Sequence, residues 1–180
     1  LRCDRTTDKI KAALAGLPLD YREGPSTSGL IAILRGGNSN GRTILLRGDM
    51  DALPMTEDTG LDFASKVPGA MHACGHDSHT AMLVGAAKAL AARKDELNGT
   101  VVLMFPPGQE GHAGGKLMIE DGPPDIAPPA AASALHAWPP PAARPSAPPH
   151  RPPPSPAPPP YPAPVVSLRP PRPPHPLLLT

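Results

Sequence analysis

Proline is distributed so unevenly that it decides how much of this chain can fold. Of the 30 prolines in 180 residues, six (Pro18, Pro25, Pro54, Pro68, Pro106 and Pro107) precede residue 123, and the other 24 crowd into positions 123–180. Proline lacks a backbone N–H and fixes φ, so a segment in which it recurs every few residues cannot build helix or sheet ladders. The same segment has few aliphatic runs whose burial could offset the entropy of ordering it. The composition changes near Gly122 and the last strand-like run ends near Pro139. The expected division is a folded domain over 1–139 and a disordered, Pro-rich tail over 140–180, outside the fold.

Charge divides at the same place. Up to Gly122, 13 Lys and Arg face 15 Asp and Glu, whereas beyond it four Arg face Asp125 alone. Neither part carries the basic stripe with interleaved aromatics that nucleic-acid recognition requires. No apolar run reaches membrane-spanning length, and no basic, then apolar, then small-residue leader opens the chain. Cys3 and Cys74 are too few for a disulfide framework, so a reducing cytoplasmic setting is the default expectation.

Within 1–139, apolar spacing predicts alternating elements. Ile10, Ala13, Leu14 and Leu17 fall at helical spacing after a cap at Thr6 or Thr7, with an end at Gly16 or Pro18. Leu30–Leu34 and Thr43–Leu46 read as strands, which the turn-rich segment 36–41 could join as a hairpin. Residues from Asp77 or Ser78 to about Lys94 form a helix with Ala81, Met82, Val84, Gly85, Ala86, Ala89 and Leu90 on a broad apolar face. Asn98-Gly99 is its expected stop. Thr100–Phe105 is a continuous apolar run of the kind buried on both faces, a short helix is expected over Gly114–Glu120, and a last strand over Ala131–Leu135. This order is that of an α/β sheet, whose functional loops sit at the carboxyl ends of the strands.

Polar clusters lie at those ends. In Gly48-Asp49-Met50-Asp51-Ala52-Leu53-Pro54, two carboxylates at i and i+2 point the same way from an extended segment, which suits a cation or substrate. The alternative is a solvated Asp turn before proline. Met71-His72-Ala73-Cys74-Gly75-His76-Asp77-Ser78-His79 is denser in donors: a helix start here favours thiolate at Cys74, while Asp77 caps the helix or orients an imidazole. His72 and His79 read as readily as ordinary surface or capping residues as they do as functional ones. A redox role for Cys74 lacks a nearby partner cysteine. Glu110, in Pro106-Pro107-Gly108-Gln109-Glu110-Gly111, follows the central apolar strand, and His136 stands beside Trp138 after the last one. Taken singly, these are a loop carboxylate and a packing histidine. Together, Cys74, His76, Glu110 and His136 are S, N and O donors on separate strand-end loops, a distribution that suits a catalytic metal better than a closed structural zinc knot.

GDMDALP, MHACGHDSHTAM, the strand followed by PPGQEGHAGGKLMIEDG, and ALHAWP, in this order over about residues 5–139, resemble the M20-type metallopeptidases. Within them the resemblance is to the amidohydrolase branch of hippurate hydrolases and N-acyl-amino-acid deacylases. It implies a partial catalytic domain with a zinc-exopeptidase-like α/β sheet and flanking helices. It also implies two divalent ions per site, zinc or manganese with cobalt or nickel as further options, and hydrolysis of the amide bond of a small N-acyl amino acid. By position it makes Cys74, His76, Glu110 and His136 metal ligands and places Asp49 and Asp51 near the metals, Asp51 among the catalytic residues.

Two departures qualify what the resemblance implies. Where the family has Glu-Glu, the first being the general base, this chain has Gln109-Glu110, and an amide cannot shuttle a proton. General acid–base catalysis is worth about 10² to 10⁴ in rate, so activity is expected to be impaired by that factor with metal binding retained. The family also continues with a lid or dimerisation domain, more sheet and a late metal-binding histidine. The resemblance finds none of these, and His150 and His175 in the tail have no matching context. The chain thus reads as truncated, and the abrupt switch to a Pro/Ala/Arg/Ser composition reads as a shifted reading frame. The alternative is a non-catalytic remnant that binds a metal ion, or binds partners through polyproline II segments of the tail.

Overall fold

The computed structural model describes residues 2–122, 127–134 and 136–137, together with the backbone of 166–168. Leu135, Trp138, His150, His175 and the remainder of the Pro-rich tail lie outside the described residues. The first helix, α1 (Asp4–Ala13), starts earlier than the threonines predict, with Cys3 at its N-cap and no side-chain cap. Thr7 is committed elsewhere: its buried hydroxyl donates to the Ser28 carbonyl at 2.6 Å, tying the helix to the chain ahead of the next strands. A tertiary hydrogen bond has taken the group that a local cap would use. Ile10 and Leu14 are buried as their spacing predicts, but Ala13 is exposed.

Among the described residues, six strands form one mixed sheet. They are β1 (Asp20–Arg22), β2 (Leu30–Arg35), β3 (Asn38–Arg47), β4 (Asn98–Phe105), β5 (Ala131–Ala134) and β6 (Val166–Leu168), in the spatial order β1-β2-β4-β3-β5-β6. β2 and β3 are consecutive strands but not a hairpin, which corrects the sequence expectation. β4 lies between them, antiparallel to β2 and parallel to β3. The glycines of 36–41 serve this crossing rather than a two-strand turn. A Cβ at Gly36 would fall on the Leu97 carbonyl oxygen, and one at Gly37 would stand 2.6 Å from the Asp95 carbonyl oxygen. Only a chain without side chains there can pass so close over the start of β4. β6 falls within the segment that the composition sets apart from the fold. Its three residues come from Val165–Arg169, the longest proline-free run of the tail, and pair antiparallel with β5.

The connection from β3 to β4 is α2 (His76–Ala91) followed by a single 3₁₀ turn at Lys94–Glu96, so β3-α2-β4 is a crossover unit of the kind parallel strands require. α2 buries His76, His79, Leu83 and Ala87, a stripe at i, i+3, i+7 and i+11. The face expected from the apolar residues is displaced, because Ala81, Met82 and Ala89 point outward while the two histidines turn in. On this side of the sheet α1 and α2 cover Leu30, Ala32, Met50, Leu103 and Phe105. On the other, α3 (Gly114–Glu120) brings Met118 onto Ile31, Ile33, Val102 and Met104. β2 over Leu30–Leu34 and β4 over Val101–Phe105 thus have apolar residues at every position because both faces are covered. No helix among the described residues is long and apolar enough to cross a membrane.

Because β3, β4 and β5 are parallel, Arg47, Phe105 and Ala134 end at one edge of the sheet. The segments that follow them, 48–51, 106–110 and 136–137, meet there. A fourth segment is brought in by Leu53 and Met71, whose backbones exchange hydrogen bonds of 2.8 and 3.0 Å. That bridge closes the excursion 54–70 and delivers residues 72–76 to the same edge.

Candidate metal centre

Asp49-Met50-Asp51 owes its pattern to the period of an extended chain. Met50 is 1% exposed and packs into the α1/α2 core, so its neighbours turn the other way, toward the strand ends. Asp49 is 0% and Asp51 6% exposed, which removes the solvated-turn reading. Asp49 Oδ1 accepts from His79 Nδ1 at 2.6 Å, Arg47 Nη1 stands 2.9 Å from Oδ2, and Thr80 Oγ1 donates to the Asp49 carbonyl at 2.9 Å. Burial alone would raise the Asp49 carboxyl. The hydrogen bond from His79 and the charges of Arg47 and His76 outweigh it and hold the group below its ordinary value. Asp51 works on two neighbours. Its Oδ2 accepts from the Glu110 backbone N–H at 3.1 Å, and its carbonyl oxygen accepts from His76 Nδ1 at 2.9 Å.

Gly75 sits in the left-handed region (φ 81°) and turns the chain sharply into α2, which puts Cys74 and His76 on the same side. Cys74 Sγ, a ring nitrogen of His76 and a carboxylate oxygen of Glu110 lie within 4.8 Å of one another. A second group, Asp49, His76, His79 and His136, is equally close and shares His76 with the first. The two groups touch directly, since Cys74 Sγ is 3.6 Å from His136 Nε2. All four predicted ligands are therefore brought together. Gln109 stands exposed beside Glu110 in the turn after β4. His72 is exposed and belongs to neither group. Asp77 is exposed, accepts from the Ser78 N–H at 2.8 Å, and neither caps the helix nor orients an imidazole.

The electrostatics at Cys74 run against the expected thiolate. Burial, and then the Glu110 and Asp49 carboxylates, push its thiol pKa up despite the adjacent helix start. A nucleophilic redox cysteine needs the opposite shift. His136 is pushed below the ordinary histidine value by burial first and by His79 next, so near neutral pH it presents a neutral imidazole.

Among the described residues, three buried side-chain polar atoms have no hydrogen-bond partner: Asp49 Oδ2, Asp51 Oδ1 and His76 Nε2. For His76 the reason is chemical. Its Nδ1–H is spent on the Asp51 carbonyl, which leaves Nε2 as a bare lone pair inside the cluster. A buried lone pair beside a thiol and a carboxylate is costly unless a cation takes it. Sequence reasoning missed Arg47 and left His79 undecided between a surface or capping residue and a functional one. His79 was within reach, because it lies at i+3 from His76 on one helix face.

An α/β sheet whose parallel strands end in Cys, His and carboxylate donors defines a metal-centred α/β protein. Comparison with known proteins makes that class specific: the chain belongs to peptidase family M20/M25/M40, whose profile matches residues 45–149. It is 44% identical over 117 residues to the IAA-amino acid hydrolase ILR1-like 5 of Arabidopsis thaliana, covering 65% of this chain and 26% of that one. It is 47% identical over 117 residues to the N-acetyl-L-cysteine deacetylase of Bacillus subtilis, covering 65% and 28%. Among solved structures, a Bacillus subtilis dinuclear metal-binding peptidase of the M20 family superposes with a TM-score of 0.62 at 44% identity, over 66% of this chain and 33% of that one. The chain spans about a quarter to a third of the length of these relatives.

Proposed function

We propose that the chain carries part of the catalytic site of a metal-dependent amidohydrolase acting on the amide bond of small N-acyl amino acids. The observation that carries this reading is His76 Nε2, buried and unpartnered between Cys74, Glu110 and the His136 side of the cluster. Cys74, His76, Glu110 and His136 are the residues that would hold divalent metal, with zinc or manganese the expected ions. Bound metal would polarise a scissile carbonyl and lower the pKa of an attacking water. The chain's own residues supply orientation. Asp51 fixes His76 through its carbonyl oxygen and fixes the Glu110 turn through its carboxylate. Gln109 occupies the place from which a carboxylate would take up and return a proton, and its amide does neither. The proposed division remains a catalytic portion over 1–139 and a Pro-rich segment over 140–180, to which β6 belongs.

Names of the relatives support the substrate class, since they describe hydrolysis or deacetylation of amino-acid conjugates. The test is the full chain with added Mn²⁺ or Zn²⁺ on N-acetyl- and N-benzoyl-amino acids, compared with Gln109→Glu. The substitution is expected to raise the rate by about 10² to 10⁴. Equal rates would remove residue 109 from the proton-transfer role. A second reading, a chain that binds metal without turnover, is favoured by Gln109 itself. It requires metal binding by the parent chain without hydrolysis.

A further inference from the structure

His79 has both ring nitrogens engaged, and by partners of opposite kind. Nδ1 faces a carboxylate, Asp49 Oδ1, at 2.6 Å, and Nε2 receives the backbone N–H of Ala137 at 2.6 Å. A carboxylate only accepts and a backbone amide only donates, so the geometry demands the neutral tautomer with its proton on Nδ1. With neither nitrogen left over, His79 is not a metal ligand in this arrangement, although it lies among the donors. Its rigidity is inherited. Asp49 is held by Arg47 and by Thr80, and His79 is itself 1% exposed in the first turns of α2. The Ala137 end is seated as well, because a Cβ at Gly75 would stand 3.1 Å from Ala137 Cβ, so the helix start is shaped to receive that residue. Ala137 follows His136, whose ring centroid is 4.5 Å from that of His79 and whose Nε2 meets Cys74.

We propose that His79 is a positioning residue: relayed from Asp49, it grips the Ala137 amide and thereby sets the His136 imidazole against Cys74. The inference rests on the metal-site reading above, in that the seated ring is one of the proposed ligands. It goes beyond that reading by assigning a task to a histidine that binds nothing itself.

The test uses the full chain and two substitutions that separate the two nitrogens. Gln places its amide oxygen near the position of Nε2 and keeps an acceptor for Ala137. Asn keeps a donor toward Asp49 and loses that acceptor. With Co²⁺ alone as the probe, His79→Asn is expected to weaken binding about 10- to 100-fold, the range found when a partner that orients a metal ligand is removed. His79→Gln is expected to stay within about threefold of the parent. Equal affinities for parent and His79→Asn would overturn the proposal. Nitrogen-15 spectra of the unsubstituted, metal-free chain give an arm that needs neither a variant nor a metal. They are expected to show His79 protonated on Nδ1 and a coupling from Ala137 N across the hydrogen bond to Nε2. A proton on Nε2, or no coupling, would overturn it. If the parent binds no Co²⁺ while the coupling is present, the metal-site reading falls and the seating of His136 by His79 stands.

Discussion

Cys74 Sγ and His136 Nε2 stand 3.6 Å apart in space and 62 positions apart in sequence. One comes from the turn into α2 and the other from the end of β5, so their meeting reports the completed sheet. Cys74→Ser replaces a soft sulfur donor with a hard, weak one. Zinc affinity, measured by competition with a chromophoric chelator, is expected to drop at least about 100-fold, beyond the range caused by losing a ligand's partner. Equal affinity in parent and variant would take the cysteine out of the centre.

Metal and stability should be linked, because the lone pair on His76 Nε2 is buried without a hydrogen-bond partner, and Asp49 Oδ2 and Asp51 Oδ1 are buried with ion-pair neighbours, Arg47 and His76, but no hydrogen bond of their own. An ion that satisfies them binds the folded chain in preference to the unfolded one. At free zinc of about 100 times Kd, unfolding should cost about 2.7 kcal/mol more, read from urea midpoints, and EDTA should reverse it. No shift at saturating zinc would mean that the orphaned atoms do not converge on a cation.

Acid should weaken the metal-free chain in two stages. His136 is held below the ordinary histidine value, so as pH falls from about 6.5 the unfolded chain takes up a proton that the folded chain refuses. That contribution is complete above the unfolded pKa and is lost as pH drops toward the folded one. Asp49, also held low, adds a second loss that begins near the unfolded carboxylate value of about 3.9 and continues below it. Urea midpoints from pH 8 to 3 in the presence of chelator should fall in both windows, and His136→Gln should flatten the upper one. A midpoint that rises on acidification from pH 7 to 5 contradicts the neutral imidazole at His136.

Two glycines separate backbone need from accident. Gly99 adopts φ 131°, and a Cβ there would strike the Arg42 carbonyl oxygen at the irregular register between β3 and β4. Gly99→Ala should cost upward of about 1–3 kcal/mol, the scale of one strained residue. Gly85, exposed in the middle of α2 with open space around it, has no such duty. Gly85→Ala should stabilise by about 0.5–1 kcal/mol. Urea titration of the two variants checks both signs.

Much of this arrangement was visible in the chain itself. Thr100–Phe105 announced a strand covered on both faces, and the four predicted ligands were recognisable because thiol, imidazole and carboxylate groups recur at strand ends. What escaped were decisions made by distant partners. The displacement of the α2 face depends on Asp49, 30 positions before His79, having need of an imidazole. Thr7 looked like a cap because its partner, Ser28, belongs to another segment. The burial of Asp49 and Asp51 was hidden in Met50, whose anchoring in the core turns both carboxylates inward. β4 could not be placed between β2 and β3 from local pattern, since a glycine-rich connection serves a hairpin and a crossing equally well.

The insertion of β4 also sets an order of events during synthesis. Until residues 98–105 have emerged, β2 and β3 have only each other to pair with, and a nascent hairpin is the local alternative. The finished sheet requires that pairing to be absent or undone so that a strand made some fifty residues later can wedge between them. The donor cluster, drawn from segments on both sides of β4, therefore cannot exist in any shorter nascent chain. A ribosome-bound intermediate would be blind to zinc until the central strand is in place.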